Sequence, residues 1–186
     1  MRIKSIAYTI IASLLLYSCQ QKTDLQKICN CKEVFFKNLE ETTSTNGYFS
    51  VRLPKTWNVN LYIDNYQSSI YAADTIQKLT SSILLDINYI KNNININDIF
   101  KLKIEQDNLA NKLAQMKGQE ITFLDKPSYF TIAFGKKEKF KYLQLQVFCK
   151  IDDKNSLLAK ALIYGDSLVD KRICKAISLL EKIKLQ

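Results

Sequence analysis

The residue types that do most protein chemistry are unevenly supplied here: cysteines stand at positions 19, 29, 31, 149 and 174, and histidine is absent. Without histidine there is no Ser-His-Asp or Cys-His nucleophile, no His-ligated zinc and no imidazole to move protons near neutral pH. Zinc held by thiolates alone is an alternative, but Cys29-Asn30-Cys31 lacks a second paired element. Redox catalysis usually runs on C-x-x-C, which the chain does not contain. Carboxylates remain. Asp152-Asp153, joined by Asp64 or Asp74, would supply oxygen to a metal, yet adjacent aspartates in a turn cap backbone groups, and calcium takes about six or more oxygens. A pair of carboxyl groups about 5–10 Å apart would serve glycoside hydrolysis, a matter of distance rather than of sequence. No catalytic residue, metal site or cofactor is expected.

The precursor carries a net charge of +9. Its densest basic run is Lys136, Lys137, Lys139 and Lys141, interleaved with Phe140 and Tyr142 across a hairpin. Such a run is a candidate contact for anionic lipid or glycan, since each lysine near an anionic membrane adds about 1 kcal/mol. The plain alternative is a solvated hairpin tip. Composition accounts for many lysines as well: the chain is rich in Asn, Ile, Lys and Tyr, with Asn92-Asn93-Ile94-Asn95-Ile96-Asn97 as the extreme, and these residues share A/T-rich codons.

The first residues read as an address. Arg2 and Lys4 form a positive start, and Ile6 to Leu16 an uncharged apolar stretch too short to span a bilayer, which takes about 20 residues. At its end Leu16-Tyr17-Ser18-Cys19 resembles the lipobox of bacterial lipoproteins. That resemblance implies cleavage between Ser18 and Cys19, diacylglycerol on the Cys19 thiol, and acylation of the new amino terminus. Two or more chains, at roughly 0.8 kcal/mol per buried CH2, make such anchoring stable. Gln20 stands where an aspartate would signal inner-membrane retention, so the resemblance points to the outer membrane. An exported chain is not expected to bind nucleic acid; its partners are the membrane, through the lipid anchor, and an envelope protein.

With Cys19 lipidated, Cys29, Cys31, Cys149 and Cys174 remain, an even number in an oxidising compartment. A bridge between Cys29 and Cys31 is geometrically poor. The expected outcome is two bridges joining Cys29 and Cys31 to Cys149 and Cys174, in either order.

The elements that must position these residues follow from periodicity. Leu25 to Leu39 reads as a helix with Leu25, Ile28, Phe35 and Leu39 on one face, and Glu40 to Asn46 as a polar linker. Strands are expected at Tyr48–Leu53, Trp57–Ile63, Ser68–Ala73 and Ser82–Ile90. Ile99, Leu102, Gln106, Leu109, Leu113 and Met116 mark an amphipathic helix over Asn97–Met116, its stripe expected to pack on the core. Four more strands are read at Glu120–Leu124, Tyr129–Phe134, Phe140–Ile151 and Leu157–Tyr164. A final helix from Ser167 carries Val169, Ile173, Ala176, Ile177, Leu180 and Ile183. Hairpin connections imply a mostly antiparallel sheet of about 6–8 strands flanked by helices, an α+β class. Residues 1–18 are the signal, 19–46 a tether with a helical segment, and 47–186 the sandwich domain.

At Tyr48-Phe49-Ser50-Val51-Arg52-Leu53-Pro54-Lys55-Thr56-Trp57 the chain is similar to the PsbP-like sandwich families, which open on an aromatic-x-V-x-L-P-x-x-W strand. The resemblance implies an α+β sandwich used for binding or assembly, without a shared active site. Pro54 and Trp57 are expected to end the strand and plug the core. The leading expectation is a lipid-anchored, non-catalytic accessory or binding module. The alternative is a carboxylate-dependent envelope hydrolase acting on glycan or peptidoglycan.

Overall fold

Alternation along the longest strands builds the molecule. In Phe140–Lys150 the residues Leu143, Leu145, Val147 and Cys149 are buried, while Gln144, Gln146 and Phe148 point to the other face. The computed structural model describes residues 22–186 apart from Glu33. In order these form α1 (Asp24–Ile28), β1 (Leu39–Thr43), β2 (Phe49–Pro54), β3 (Asn58–Ile63), β4 (Gln67–Ala73) and a 3-10 turn (Leu79–Ser81). They continue as β5 (Ile83–Ile90), α2 (Asp98–Ala110), β6 (Ala114–Phe123), β7 (Lys126–Lys137), β8 (Phe140–Lys150), β9 (Ser156–Tyr164), α3 (Val169–Leu180) and β10 (Ile183–Leu185).

Seven strands form one antiparallel sheet in the order β3-β4-β5-β9-β8-β7-β6, and β1-β2-β10 form a second, three-stranded one. The α+β antiparallel class expected from the sequence is therefore present, with helices on the sheets. The core lies between the inner face of the large sheet, the small sheet and α3. Phe49, Val51 and Leu53 of β2 meet Ile173, Ala176, Ile177 and Leu180 of α3 there, along with Phe130 and Leu145. Trp57 is buried at the end of the β2 turn, as a core plug should be.

Local structure departs from the periodicity in four places. The first helix stops at Ile28 instead of Leu39: Cys29 caps it and Asn30 takes a left-handed φ of 50°. The segment read as polar linker pairs as β1 with β2, from Leu39 opposite Pro54 to Thr43 opposite Ser50. Backbone pairing makes few demands on side chains, so a polar Leu-Glu-Glu-Thr-Thr run serves. Ile183, read as helical, lies in β10 opposite Val51. The fourth departure is α2. It ends at Ala110, Lys112 reverses the chain at φ 59°, and residues 114–116 already belong to β6.

Two turns carry carboxylates in structural roles. Asp64 accepts from the Tyr66 and Gln67 amides at 2.7 and 2.8 Å, and Asp152 from the Asn155 side chain and the Lys154 and Asn155 amides. Hydrogen bonding holds both carboxyls below their ordinary value, led by the Tyr66 amide at Asp64 and by the Asn155 side chain at Asp152. A depressed carboxyl contributes stability above its unfolded pKa of 3.8 and loses it as pH falls through the lower folded value. Thermal melts from about pH 6 down to about pH 2 should therefore fall less steeply below about pH 4 in Asp64→Asn/Asp152→Asn than in the parent. An unchanged slope would assign the acid sensitivity elsewhere.

Candidate functional site

The outer face of the large sheet is only half covered. At the β6 end α2 lies over it: Phe100 packs edge-on against Tyr129 and Phe148, and Asn108 donates to Gln115 at 2.8 Å. At the β3 end no helix among the described residues covers it, and a groove of about 450 Å³ opens there. Its walls come from four strands: Asn58 and Asn60 on β3, Tyr71 on β4, Leu84 and Asp86 on β5, Lys160 and Leu162 on β9. These are register neighbours. Asn60, Tyr71, Asp86, Lys160 and Gln146 stand in one row across β3, β4, β5, β9 and β8.

A polar chain runs from buried Ser69 and Asn88 to Asp86 and Lys160 in the groove lining. The Ser69 hydroxyl donates to Asn88 Oδ1 at 2.6 Å, Asn88 Nδ2 donates to Asp86 Oδ1 at 2.6 Å, and Lys160 Nζ meets Asp86 Oδ2 at 2.6 Å. Asp86 and Lys160 are mostly buried, so each depends on the other for its charge to be tolerated there. The result is a neutral, prearranged row of donors and acceptors beside the Tyr71 ring and two leucines, the mixture found in sites for small or extended ligands. Asp86 is the one carboxylate in the lining, which leaves it without a second carboxyl for acid-base hydrolysis. The signal for this site was a charge at an outward position in the middle of two otherwise apolar or uncharged strands, Asp86 in Ile83–Ile90 and Lys160 in Ser156–Tyr164.

Beside the groove, β3 is the sheet's edge. Leu61, Tyr62 and Ile63 are exposed on it, its six pairs with β4 run without a bulge, and it holds no lysine or proline. The opposite edge is guarded. β6 carries a register shift between Gln115 and Lys117, its Thr122 amide donates to the Asp24 carboxylate at 2.9 Å, and Lys117 Nζ donates to the Ile28 carbonyl at 3.1 Å. Bulges, lysines and covering helices are how proteins close sheet edges, and among the described residues β3 has none of them.

The residues singled out in the sequence fall as follows. Ser18 and Cys19 lie outside the described residues. Cys31 and Cys174 form a disulfide with Cα atoms 5.3 Å apart. The second expected bridge is not formed: Cys29 and Cys149 are free thiols. Cys149 faces inward with its thiol toward the Phe123 carbonyl at 3.5 Å, and lies level with Ile121 of β6 through Ser128. Cys29 follows Ile28, which is tied to Lys117. Burial pushes both thiols up, so neither is a ready nucleophile. The Cys31–Cys174 bridge takes two thiols out of the four-cysteine zinc set.

Lys136, Lys137, Lys139 and Lys141 are all exposed on the β7–β8 hairpin, where Lys141 pairs with Asp166 at 3.3 Å and Lys139 sits 5.6 Å from the Phe140 ring centre. Asp64, Asp74 and Asp152 do not converge: two hold turns, and Asp74 pairs with Lys175 at 3.4 Å. Among the described residues no group of three or more Cys, Asp or Glu side chains is placed to hold a metal ion. Nor is any helix among them long and apolar enough to cross a membrane.

The α+β sandwich is similar in fold to PsbP-like structures. Cyanobacterial PsbP (CyanoP) from Synechocystis sp. PCC 6803 is similar with a TM-score of 0.56 at 10% identity, over 84% of this chain and 97% of that one. The Ran-binding protein Mog1p of Saccharomyces cerevisiae is similar with a TM-score of 0.51 at 10% identity, over 81% and 96%. A structure from Bacteroides thetaiotaomicron gives 0.49 at 10% identity and spans 81% of this chain but only 49% of its own. No family model matches the chain, and no curated protein does.

Proposed function

We propose that this chain is an exported lipoprotein of the cell envelope, cut before Cys19 and held to the outer membrane by lipid on that cysteine. Its domain serves there as a non-catalytic accessory or binding module. The observation that carries the reading is the Cys31–Cys174 bridge, because structural disulfides persist in oxidising compartments outside the cytosol. That compartment is the one the lipobox-like Leu16-Tyr17-Ser18-Cys19 calls for. The clamp on the amino-terminal segment starts earlier than the cysteines: Thr23 and Gln26 both donate to Glu181 at the end of α3, and Leu25 is buried in the core. Three residues therefore separate Cys19 from the first fixed side chain, Thr23, a reach of about 14 Å fully extended.

Binding, in place of catalysis, is supported by the groove itself. Its charges neutralise each other, its polar groups are fixed, and it sits at the sheet edge farthest from α1. Six strand spacings of about 4.8 Å put β3 roughly 29 Å from β6, so a partner can reach groove and edge while the other end is tethered. The similar Mog1p is a Ran-binding protein, which gives binding on this fold a precedent without assigning it. In this groove the hydrolase alternative would need a second carboxyl group beside Asp86, which the lining does not offer; Asp24, Asp125 and Glu181 line a separate pocket of about 350 Å³ near α1.

The test is site-specific crosslinking in the native envelope. A photoreactive phenylalanine replacing Tyr71 should give one reproducible adduct with an envelope component, and the same residue replacing Glu138 at the far hairpin should not. Adducts that ignore position, or none from Tyr71, would remove the groove from this reading.

A further inference from the structure

The apolar stripe that defined α2 in the sequence faces solvent. At about 100° per residue, Ile99, Leu102, Gln106 and Leu109 fall in one arc of the helix, and Phe100, Ile104 and Asn108 in an arc directly opposite. The second arc packs on the sheet, with Ile104 and Asn108 buried. The first is left open: Ile99 is 78% exposed, Leu102 54% and Leu109 64%. A helix apolar on both sides has something to touch on each, and here only one partner is in place.

Resting on the proposed lipid anchor, we infer that the open stripe of α2 docks on the bilayer that holds Cys19, seating its leucines and isoleucine at the headgroup boundary. Two features choose lipid over other occupants. The first is where the chain leaves the described fold. α1 and α2 both flank β6: Asp24 binds the Thr122 amide while Lys101 of α2 pairs with Glu120 at 2.6 Å, two residues away on the same strand. With about 14 Å of chain between Cys19 and Thr23, the lipid cannot stray far from this edge, so the bilayer surface meets α2.

The second is charge. The α2 C-terminal turn lies against the lysine hairpin, since a Cβ built on Gly135 would stand 3.4 Å from the Lys112 carbonyl oxygen and 2.4 Å from Leu113. Lys136 and Lys137 follow at once in β7. An apolar helical stripe ending in a cluster of exposed lysines is the pattern of a helix lying in a membrane interface, where buried apolar area and attraction to anionic headgroups act together. Within Asp98–Lys112 itself three acidic and three basic residues cancel, so the stripe should bind neutral lipid and the hairpin should add the dependence on anionic lipid.

The experiment uses the mature, membrane-extracted protein reconstituted into vesicles of acyl-brominated phosphatidylcholine, with or without phosphatidylglycerol; bromine quenches indole emission at close range. Leu102→Trp and Leu109→Trp, both at exposed positions, are compared with Tyr71→Trp in the groove, over the background of the buried Trp57. Intact mass of each sample reports lipid on Cys19. Docking predicts that the α2 indoles lose most of their emission and the Tyr71→Trp indole keeps its own. Phosphatidylglycerol should deepen the quenching, and salt should reverse only that increment. Lipid on Cys19 with all three indoles unquenched overturns the docking and leaves the anchor standing, as does a dimer in which the α2 indoles are shielded from bromine. No lipid on Cys19, but α2 quenching on vesicle addition, upholds the docking and overturns the anchor.

Discussion

Replacing both cysteines of the bridge, Cys31→Ser/Cys174→Ser, should cost about 2–5 kcal/mol of unfolding free energy. The expectation sits near the top of that range because the bridge spans 143 residues of sequence, and the loop entropy removed from the unfolded chain grows with that length. Urea denaturation without reductant measures it directly. Cys29→Ser, at a half-exposed free thiol, is the matched control and should change little. A loss below about 1 kcal/mol in the double variant would mean that Leu25 and the Glu181 contacts hold α1 unaided, and that the bridge contributes little to the clamp.

Gly165→Ala should be of similar size for a different reason. Gly165 connects β9 to α3 at φ 77°, a left-handed backbone, and a Cβ there would lie 2.1 Å from the Thr80 carbonyl oxygen. The left-handed strain costs about 1–3 kcal/mol, and displacing packed backbone adds about 1–3 more. The junction is also where the Arg172 guanidinium gathers the carbonyls of Tyr164, Gly165, Ser82 and Ser167, so a shift at Thr80 disturbs four hydrogen bonds. A thermal melt within a degree or two of the parent's would show that the turn relaxes freely, contrary to this geometry.

What could be read from the sequence depended on whether a side-chain pattern had one physical meaning. β8 and β9 bury every second residue, so alternation located them and their inward faces without help. The stripe Ile173, Ala176, Ile177 and Leu180 has one apolar side and found the core as α3. In α2 the same reasoning placed the helix and inverted it. Ile99, Leu102 and Leu109 are as good a stripe as Phe100 and Ile104, and periodicity has no term for which of two faces meets the sheet. β1 was missed because its strand is made by main-chain hydrogen bonds to β2 while its side chains are polar. The disulfide was legible as a set of alternatives from which register removed one: Cys149 faces the core beside Phe123, while Cys29 ends a short helix several residues farther along β6.

The groove was not legible as a site. Asn60, Tyr71, Asp86 and Lys160 become neighbours only once β3, β4, β5 and β9 are in register, and each residue alone reads as ordinary surface. Mid-strand Asp86 and Lys160 were the trace it left. The proposed lipobox is different in kind, because such a signal would be read by enzymes from the chain itself and needs no fold to be recognised.

The envelope reading stands on Cys19, and intact-mass analysis of the protein isolated from its native membrane fraction tests it most directly. The account predicts a polypeptide beginning at Cys19, lacking residues 1–18 and heavier than its sequence by a diacylglyceryl group and an amide-linked acyl chain, with a Cys19→Ser variant that is neither cut nor lipidated. A chain of wild-type sequence that retains residues 1–18, or one cleaved elsewhere and carrying no lipid, would contradict it.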